Sequence, residues 1–251
     1  MKYVAKPNLP ENSKLVLIGE KYSEFFVKSL ENMAILPLLV PENPYVDVKV
    51  SGHVDLSVLH VGANKIVMAP YLKGSSLSER LIHLGFEVIF TETFQAKSYP
   101  FDSGFNVCII DNKLIYNPKT AEKTIVDILT KGERCHSINV KQGYSKCSTC
   151  VVNENAIITA DEGIDRAARR AGIESLKITE GYIDLPGYDY GFIGGASFKI
   201  NKNTIVFTGR LDDHPDKQRI IEFLSLHNVK ALYITDRPIF DIGSAIPILE
   251  K

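Results

Sequence analysis

The sequence has little that would mark it out by bulk chemistry. Its formal net charge is −1, from 29 basic and 30 acidic residues, which gives no general attraction to nucleic acid or to an anionic membrane. No basic cluster stands out. No apolar run approaches the roughly 20 residues that a helical bilayer span needs. The opening stretch, MKYVAKPNLPENSK, has none of the apolar core of a secretory signal, so a cytoplasmic protein is expected. The four cysteines, Cys108, Cys135, Cys147 and Cys150, are then expected as free thiols rather than a disulfide framework. Neither G-x-x-x-x-G-K-[ST] nor G-x-G-x-x-G occurs in a strand-to-helix setting, which excludes the usual phosphate-cradling loops. No cofactor and no metal are expected. What remains, 45% hydrophobic and 24% charged residues in a chain of 251, suits a globular protein read as a single domain over 1–251. A chain of this size buries roughly three quarters of its unfolded surface.

What is present is a repeat. Four apolar runs, starting at Ser57, Phe105, Cys147 and Gly195, lie 48, 42 and 48 residues apart. Such a period is typical of repeat architectures. Each run leads through a short turn into a second run, as in FNVCII-DNK-LIYNP or GASFKI-NKN-TIVFTG. The turn residues tolerate positive φ, so each pair reads as a hairpin. A helical pattern and a third strand follow. The helices are expected over Ser76–Leu84, with Ser75 or Ser76 as cap, and over Lys119–Leu129, Gly163–Ala171 and Asp216–Leu226. Gly85, Gly132 and Gly172 mark helix stops. A fifth run begins at Gly243, and its partner is expected near the N-terminus in KLVLIGE, followed by a helix Ser23–Asn32 and the strand ILPLLV. The ring reading is an α/β fold with a pseudo-fivefold repeat whose fifth unit is closed by the N- and C-termini. The alternative is an open mixed α/β sheet, the usual outcome when strands alternate with helices.

In a closed ring the connections between units gather near the axis, where a rigid scaffold can hold functional loops. His53 and Asp55, in G-H-V-D, share one face if the segment is extended. His60 lies deeper in the same strand, at a place matching Cys108 and Cys150, and reads as a packed core residue. Cys147 opens the third run next to Lys146, a setting that would lower a thiol pKa. Cys147 and Cys150 point to opposite faces of a regular strand, which makes them a poor zinc chelate. Asp102 and Ser103, Asp189, and Asp241 precede the second, fourth and fifth runs, and Tyr188 sits beside Asp189 in the longest loop. Carboxylates around one cavity would hold a cation, and a planar guanidinium pairs with them bidentately. With a thiol nucleophile, this is a covalent hydrolase or transferase site. Cys147 would attack, His53 would protonate the leaving amine and activate water, and Asp55 and Asp102 would hold the substrate. Asp189, Asp241, Ser103 and Tyr188 would complete the binding site.

The repeat and this constellation resemble the pentein superfamily: five-bladed α/β propellers that include arginine deiminase, agmatine deiminase, dimethylarginine dimethylaminohydrolase and the amidinotransferases, together with non-enzymatic ribosome anti-association factors. His53-Val54-Asp55 is similar to the family's H-x-D motif, which implies a catalytic histidine and a guanidinium-binding aspartate. Gly143 to Cys147 resembles the approach to its nucleophile, and the hairpin after Gly194-Gly195 resembles the one after its Gly-Gly motif. The chain departs from the pattern where Ile193 replaces the acid before Gly-Gly and Ala196 an aspartate after it. The cysteine is also not near the C-terminus, which a circularly shifted order accommodates. Asp189 or Asp102 is the candidate replacement acid. The resemblance implies a thiol-dependent enzyme acting on a cationic guanidine or amidine, or a catalytically silent binding protein with the same fold. Neither a nucleic-acid nor a membrane partner is expected, and the oligomeric state stays open.

Overall fold

The computed structural model describes residues 1–92, 98–131 and 135–251. In chain order the elements are β1 (Lys2–Tyr3), β2 (Ser13–Gly19), α1 (Ser23–Asn32), β3 (Leu36–Val40), β4 (Val58–Gly62), β5 (Lys65–Met68), α2 (Ser76–His83), β6 (Glu87–Phe90), β7 (Cys108–Ile110), β8 (Lys113–Tyr116), α3 (Lys123–Thr130), β9 (His136–Asn139), β10 (Cys150–Asn153), β11 (Ala156–Thr159), α4 (Glu162–Arg170), β12 (Glu174–Lys177), β13 (Ser197–Asn201), β14 (Thr204–Phe207), α5 (Lys217–Leu226), β15 (Lys230–Tyr233) and β16 (Ile246–Glu250). Among the described residues they form five sheets: β1-β16-β2-β3, β4-β5-β6, β7-β8-β9, β10-β11-β12 and β13-β14-β15.

The last four sheets share one plan. An antiparallel hairpin is followed by a helix and a third strand parallel to the second. A parallel return needs a crossover, and the helix supplies it. Two of the hairpin turns are closed by short polar side chains: Asn153 Oδ1 accepts from Asn155 N (2.8 Å) and Asn201 Oδ1 from Asn203 N (2.9 Å). Such side-chain closure fixes a tight turn locally. Ser75 caps α2, accepting from Ser78 N (3.2 Å), and Asp161 caps α4, accepting from Ile164 N (2.7 Å). Gly85 and Gly172 follow their helices at positive φ, whereas the expected stop at Gly132 lies outside the described residues. The helix expected from Lys119 starts instead at Lys123, because Asn117 spends the intervening residues on a turn. Its carbonyl accepts from Thr120 N (3.2 Å) and Ala121 N (2.9 Å), and its side chain from Lys119 N (3.0 Å).

The first sheet joins the two ends of the sequence. β16 pairs antiparallel with β2, Ile246 opposite Leu17 and Glu250 opposite Ser13, and β2 pairs in parallel with β3. This is the plan of the other four sheets, with the hairpin cut open. Between successive sheets lies an apolar cluster. Leu17 and Leu38 meet Met68 and Leu81. Leu59 and Val67 meet Ile109 and Leu114. Cys108 and Ile115 meet Ile157 and Ile164. Cys150 and Ile158 meet Ile205 and Phe207. Phe198 and Val206 meet Ile18 and Phe26. Each of these clusters joins residues of two sheets, and the described strands form five separate small sheets where the open-sheet alternative expected one. The strand register places Leu59, paired with Val67, at the level of Cys108 and Cys150, so the expected match of those cysteines to His60 is one residue out. Among the described residues, no helix is long and apolar enough to cross a membrane.

Phe26 on α1 is buried in the cluster between the fifth and first sheets and stacks on Phe240, ring centroids 5.8 Å apart. Phe26→Ala is expected to cost about 3–5 kcal/mol in urea denaturation. Leu226→Ala, at an exposed position, is expected to change stability by less than about 0.5 kcal/mol.

Candidate active site

The first strands of the units begin later than their apolar runs suggest. β7, β10 and β13 start at Cys108, Cys150 and Ser197. The residues just before them are in turns: Ser57 N donates to Val54 O (3.0 Å), Asn106 N to Ser103 O (2.9 Å), Ser148 N to Tyr144 O (2.9 Å) and Ala196 N to Phe192 O (3.0 Å). His53 and Asp55 are therefore not on an extended segment. Val54–Leu56 is a 3-10 turn with His53 just before it. Cys147 likewise lies in a turn, three residues before β10.

These lead-in turns bond to one another in a circuit. Asp55 N donates to Gly243 O (3.3 Å). Asn106 Nδ2 donates to Asp55 O (3.4 Å), and Asn106 Oδ1 accepts from Cys147 N (2.9 Å). Gly195 N donates to Cys147 O (2.9 Å), and Gly195 O accepts from Ile242 N (3.2 Å) and Ser244 N (2.7 Å). The circuit closes through all five units. It demands close approach: a Cβ on Gly195 would lie 2.0 Å from Asp241 Oδ1, and one on Gly243, at φ +68°, would lie 2.4 Å from His53 Cβ. Only glycine meets both conditions at Gly243.

Inside the circuit the thiol of Cys147 donates to Asp55 Oδ2 (2.8 Å), and Asn106 Nδ2 lies 3.5 Å from Sγ. A nitrogen of His53, an oxygen of Asp55 and the sulfur of Cys147 all lie within 4.8 Å of one another. His53 Nδ1 is 3.9 Å from Asp241 Oδ1. Asp241 is itself fixed by Phe192 N (2.8 Å, to Oδ2) and Gly243 N (2.8 Å, to Oδ1). His53 Nε2 and Asp55 Oδ1 are buried without a hydrogen-bond partner. A cavity of about 240 Å³ opens onto this group, with His53, Cys147 and Asp241 at its buried end. Val50, Leu56, Leu185, Tyr144, Tyr188, Tyr190 and Phe192 form the walls. Val50, Leu56 and Leu185 belong to a small apolar cluster of their own, on which Tyr144 packs.

Burial dominates the electrostatics. It pushes the Asp55 carboxyl up to about 7, against the charge of Lys146 and the hydrogen bond from Cys147, which pull it down. The Cys147 thiol is driven well above its ordinary range, first by burial and then by the negative charges of Asp55 and Asp241. His53 is shifted down by burial, which outweighs the charge of Asp241. The resting site at neutral pH is a thiol beside a neutral imidazole. The expectation that Lys146 would depress the thiol is thus corrected: its effect has the anticipated sign, and desolvation and two acids overcome it.

Of the other expected site residues, Asp189 and Tyr188 line the exposed rim of the cavity, and Lys49 sits 5.1 Å over the Tyr188 ring. Asp102 is behind the wall rather than in the cavity: it accepts a hydrogen bond from the Tyr144 hydroxyl (2.7 Å), and burial raises its carboxyl. Ser103 is not brought into the cavity, because its hydroxyl turns back to donate to Pro100 O (2.8 Å). Cys147 and Cys150 do part company, as expected, one into the cavity and the other into the apolar cluster between the fourth and fifth sheets. Asn106 escaped the sequence reading. Its only signal was an amide inside the otherwise apolar run FNVCII. Tyr144 and Phe192 were passed over because aromatic residues in polar loops carry no directional information.

Asp55 has a folded pKa above its unfolded value, so the stability it brings to the fold is fully present below about pH 4 and is lost as pH rises through about 7. Asp55→Asn removes that dependence. The variant is expected to gain on the wild type by a few kcal/mol between pH 4 and pH 8, measured by urea denaturation at both ends. Equal pH profiles for the two proteins would contradict the assignment.

Comparison with solved structures shows the pentein fold. The chain superposes on SxtG, an amidinotransferase from Microseira wollei in the saxitoxin biosynthetic pathway, with a TM-score of 0.61 and 9% identity over 99% of this chain and 97% of that one. The inosamine-phosphate amidinotransferase of Streptomyces griseus gives 0.59 and 11% over 100% and 98%. The agmatine deiminase of C. jejuni with substrate bound gives 0.57 and 10% over 99% and 96%. No curated protein matches the sequence. A profile described as a family of unknown function, DUF6873, matches residues 17–246, and the chain belongs to that family.

Proposed function

We propose that this protein is a thiol-dependent enzyme that transfers or hydrolyses the amidino group of a small cationic guanidine or amidine. The observation that carries the proposal is the position of Cys147 Sγ, 2.8 Å from Asp55 Oδ2 at the buried end of a cavity that also holds His53. A silent binder with the same fold has no need of this proximity, and a nitrogen of His53 and the sulfur of Cys147 lie within 4.8 Å of each other. The likeness in fold to amidinotransferases and an agmatine deiminase supports the same reading. We read the five sheets as the blades of a propeller whose axis passes through the site. Four free cysteines fit a reducing compartment such as the cytoplasm.

In this mechanism a guanidinium enters the cavity and pairs with the carboxylates of Asp55 and Asp241, which displaces the thiol from Asp55. The added positive charge lowers the cost of a thiolate in a desolvated site. The proton of Cys147 passes to His53 Nε2, and the imidazolium is stabilised by Asp241 beside Nδ1. Sγ attacks the central carbon, forming a C–S bond as the C=N π pair moves onto nitrogen. When that pair returns, the C–N bond to the leaving amine breaks and His53 gives the amine its proton. An amidino group is left on Cys147 as a thioether. Water then gives a proton to His53 and a hydroxyl to the carbon, the C–S bond breaks, and His53 returns the proton to sulfur. An amine in place of water completes a transfer instead. Asp189 and Tyr188 at the rim contact the remainder of the substrate, and Asp102 acts through Tyr144.

Cys147→Ala is expected to leave the thermal melt intact and to reduce amine release from a panel of guanidines by at least a thousandfold. A variant that keeps turning over would sink the proposal. The wild-type kcat/KM is expected to rise with pH through about 7, as Asp55 in the free enzyme ionises; a profile flat from pH 5.5 to 8 would remove Asp55 from substrate binding.

A further inference from the structure

Lys146, next to Cys147 in the chain, is a charged residue whose burial none of the steps above explains. It is 7% exposed, although lysine is seldom fully buried without a partner. Its Nζ donates to Gly194 O (3.3 Å) and Ser244 Oγ (3.1 Å), both on lead-in turns of other units. Ser244 is held in turn, its hydroxyl donating to Ser197 O (3.0 Å). Among the described residues, no carboxylate comes within ion-pair distance of this ammonium.

The direction of the side chain matters as much as its burial. Cys147 lines the substrate cavity and Lys146 does not. Lys146 instead borders a void of about 10 Å³ on the far side of the turn, together with Cys150, Ser197 and Lys199. A void of that size is at the lower limit for a single water. The ammonium is thus buried in protein on the side of the turn away from the cavity, where a charge is screened less than in solvent. In front of it lie Cys147 and Asp55, on both of which it acts in the direction opposite to burial. The other groups facing Cys147 are His53, Asp241, Tyr22 and Tyr144. Behind are Cys108 and Cys150, neutral thiols raised by burial, and Lys199. Tyr22 and Tyr144 are also raised and stay neutral. The thiolate that the reaction requires would share the pocket with two carboxylates, and the buried ammonium of Lys146, the neighbouring residue in the chain, is the positive charge that acts on both Cys147 and Asp55.

We propose that Lys146 is a positioning residue: its ammonium, anchored behind the Cys147–Asp55 pair by Gly194 O and Ser244 Oγ, stabilises the ionised forms of that pair without touching substrate. The proposal rests on the thiol chemistry proposed above and adds to it a fixed counter-charge contributed by the chain itself. It also accounts for the placement of the nucleophile in a turn. Successive residues of a turn project in different directions, so neighbours in sequence can serve opposite sides of the ring.

The test is alkylation of Cys147 by iodoacetamide as a function of pH, read at the Cys147 peptide by mass spectrometry. The reagent consumes thiolate and needs no guanidine chemistry, so its outcome is separate from whether the wild type turns over any guanidine. Lys146→Gln keeps a hydrogen-bond donor for Gly194 O and removes the charge. Its alkylation midpoint is expected to move up by about one pH unit or more, a tenfold slower reaction at fixed pH below the midpoint. Lys146→Arg keeps the charge and is expected to stay close to the wild type. A Lys146→Gln protein that melts normally with its midpoint unchanged or lowered would overturn the proposal, as would equal shifts in the two variants, which would mark Lys146 as a tie between loops. If Lys146→Gln does not fold, Ser244→Ala carries the test. Loss of the hydroxyl anchor is expected to shift the midpoint upward by a smaller amount, and an unmoved midpoint there overturns the proposal equally.

Discussion

The candidate site depends on five turns that bond to one another in a closed circuit. Buried backbone groups brought together in this way need partners. The chain supplies them by bending the residues before each first strand into a turn and bonding each turn to the next, from Asp55 through Asn106, Cys147 and Gly195 to Gly243 and back. The close approach at Gly195 leaves no space for a side chain. The reactive groups are thus carried on the part of each unit with the least freedom to move, and the apolar clusters between sheets hold the turns from outside. A site built this way needs few residues of its own, since the scaffold has already fixed their positions.

The same arrangement creates the electrical tension of the site. Turns that satisfy one another exclude water, and exclusion of water drives Asp55 and Cys147 toward their neutral forms. The unpartnered Nε2 of His53 and Oδ1 of Asp55 belong to the same economy. These groups concentrate polar atoms at a cost that the apolar clusters between the sheets do not carry, as expected where stability has been given up for binding or chemistry.

Much of the fold was legible in the sequence because its signals are local. Asn-rich turns between apolar runs, caps such as Ser75 and Asp161, and a period near 48 residues identify the units without tertiary information. The helix Ser23–Asn32 and the pairing of the last strand with KLVLIGE agree with the structure. The lead-in turns were not legible. FNVCII and CSTCVV have the composition of strands throughout, and what bends their first residues is hydrogen bonding to other units, on which the local sequence is silent. The error over the Cys147 thiol has the same origin. Lys146 is next to it in the chain, but the turn sends the two side chains to opposite sides, and the acids that raise the thiol come from residues about one hundred positions away in either direction. Ser103 and Asp102 were placed in the site because they precede the second apolar run. In the structure the Ser103 hydroxyl bonds within its own connection, and Asp102 reaches the cavity only through the Tyr144 hydroxyl.

One feature of the first sheet bears on how the chain reaches this state. β2 has as its antiparallel partner β16, a strand far from it in sequence. Pairings of such sequence separation carry the largest loop-closure entropy and form slowly. Until β16 arrives, β2 presents a bare edge with open hydrogen-bonding groups, a surface that recruits other strands. The neighbouring turn with Asp241 and Gly243 arrives with β16, so the circuit around Cys147 stays open until then. A chain in which β16 is undocked would therefore combine an open strand edge with an incomplete circuit around Cys147. The edge is covered and the circuit closed by the same event, the docking of β16.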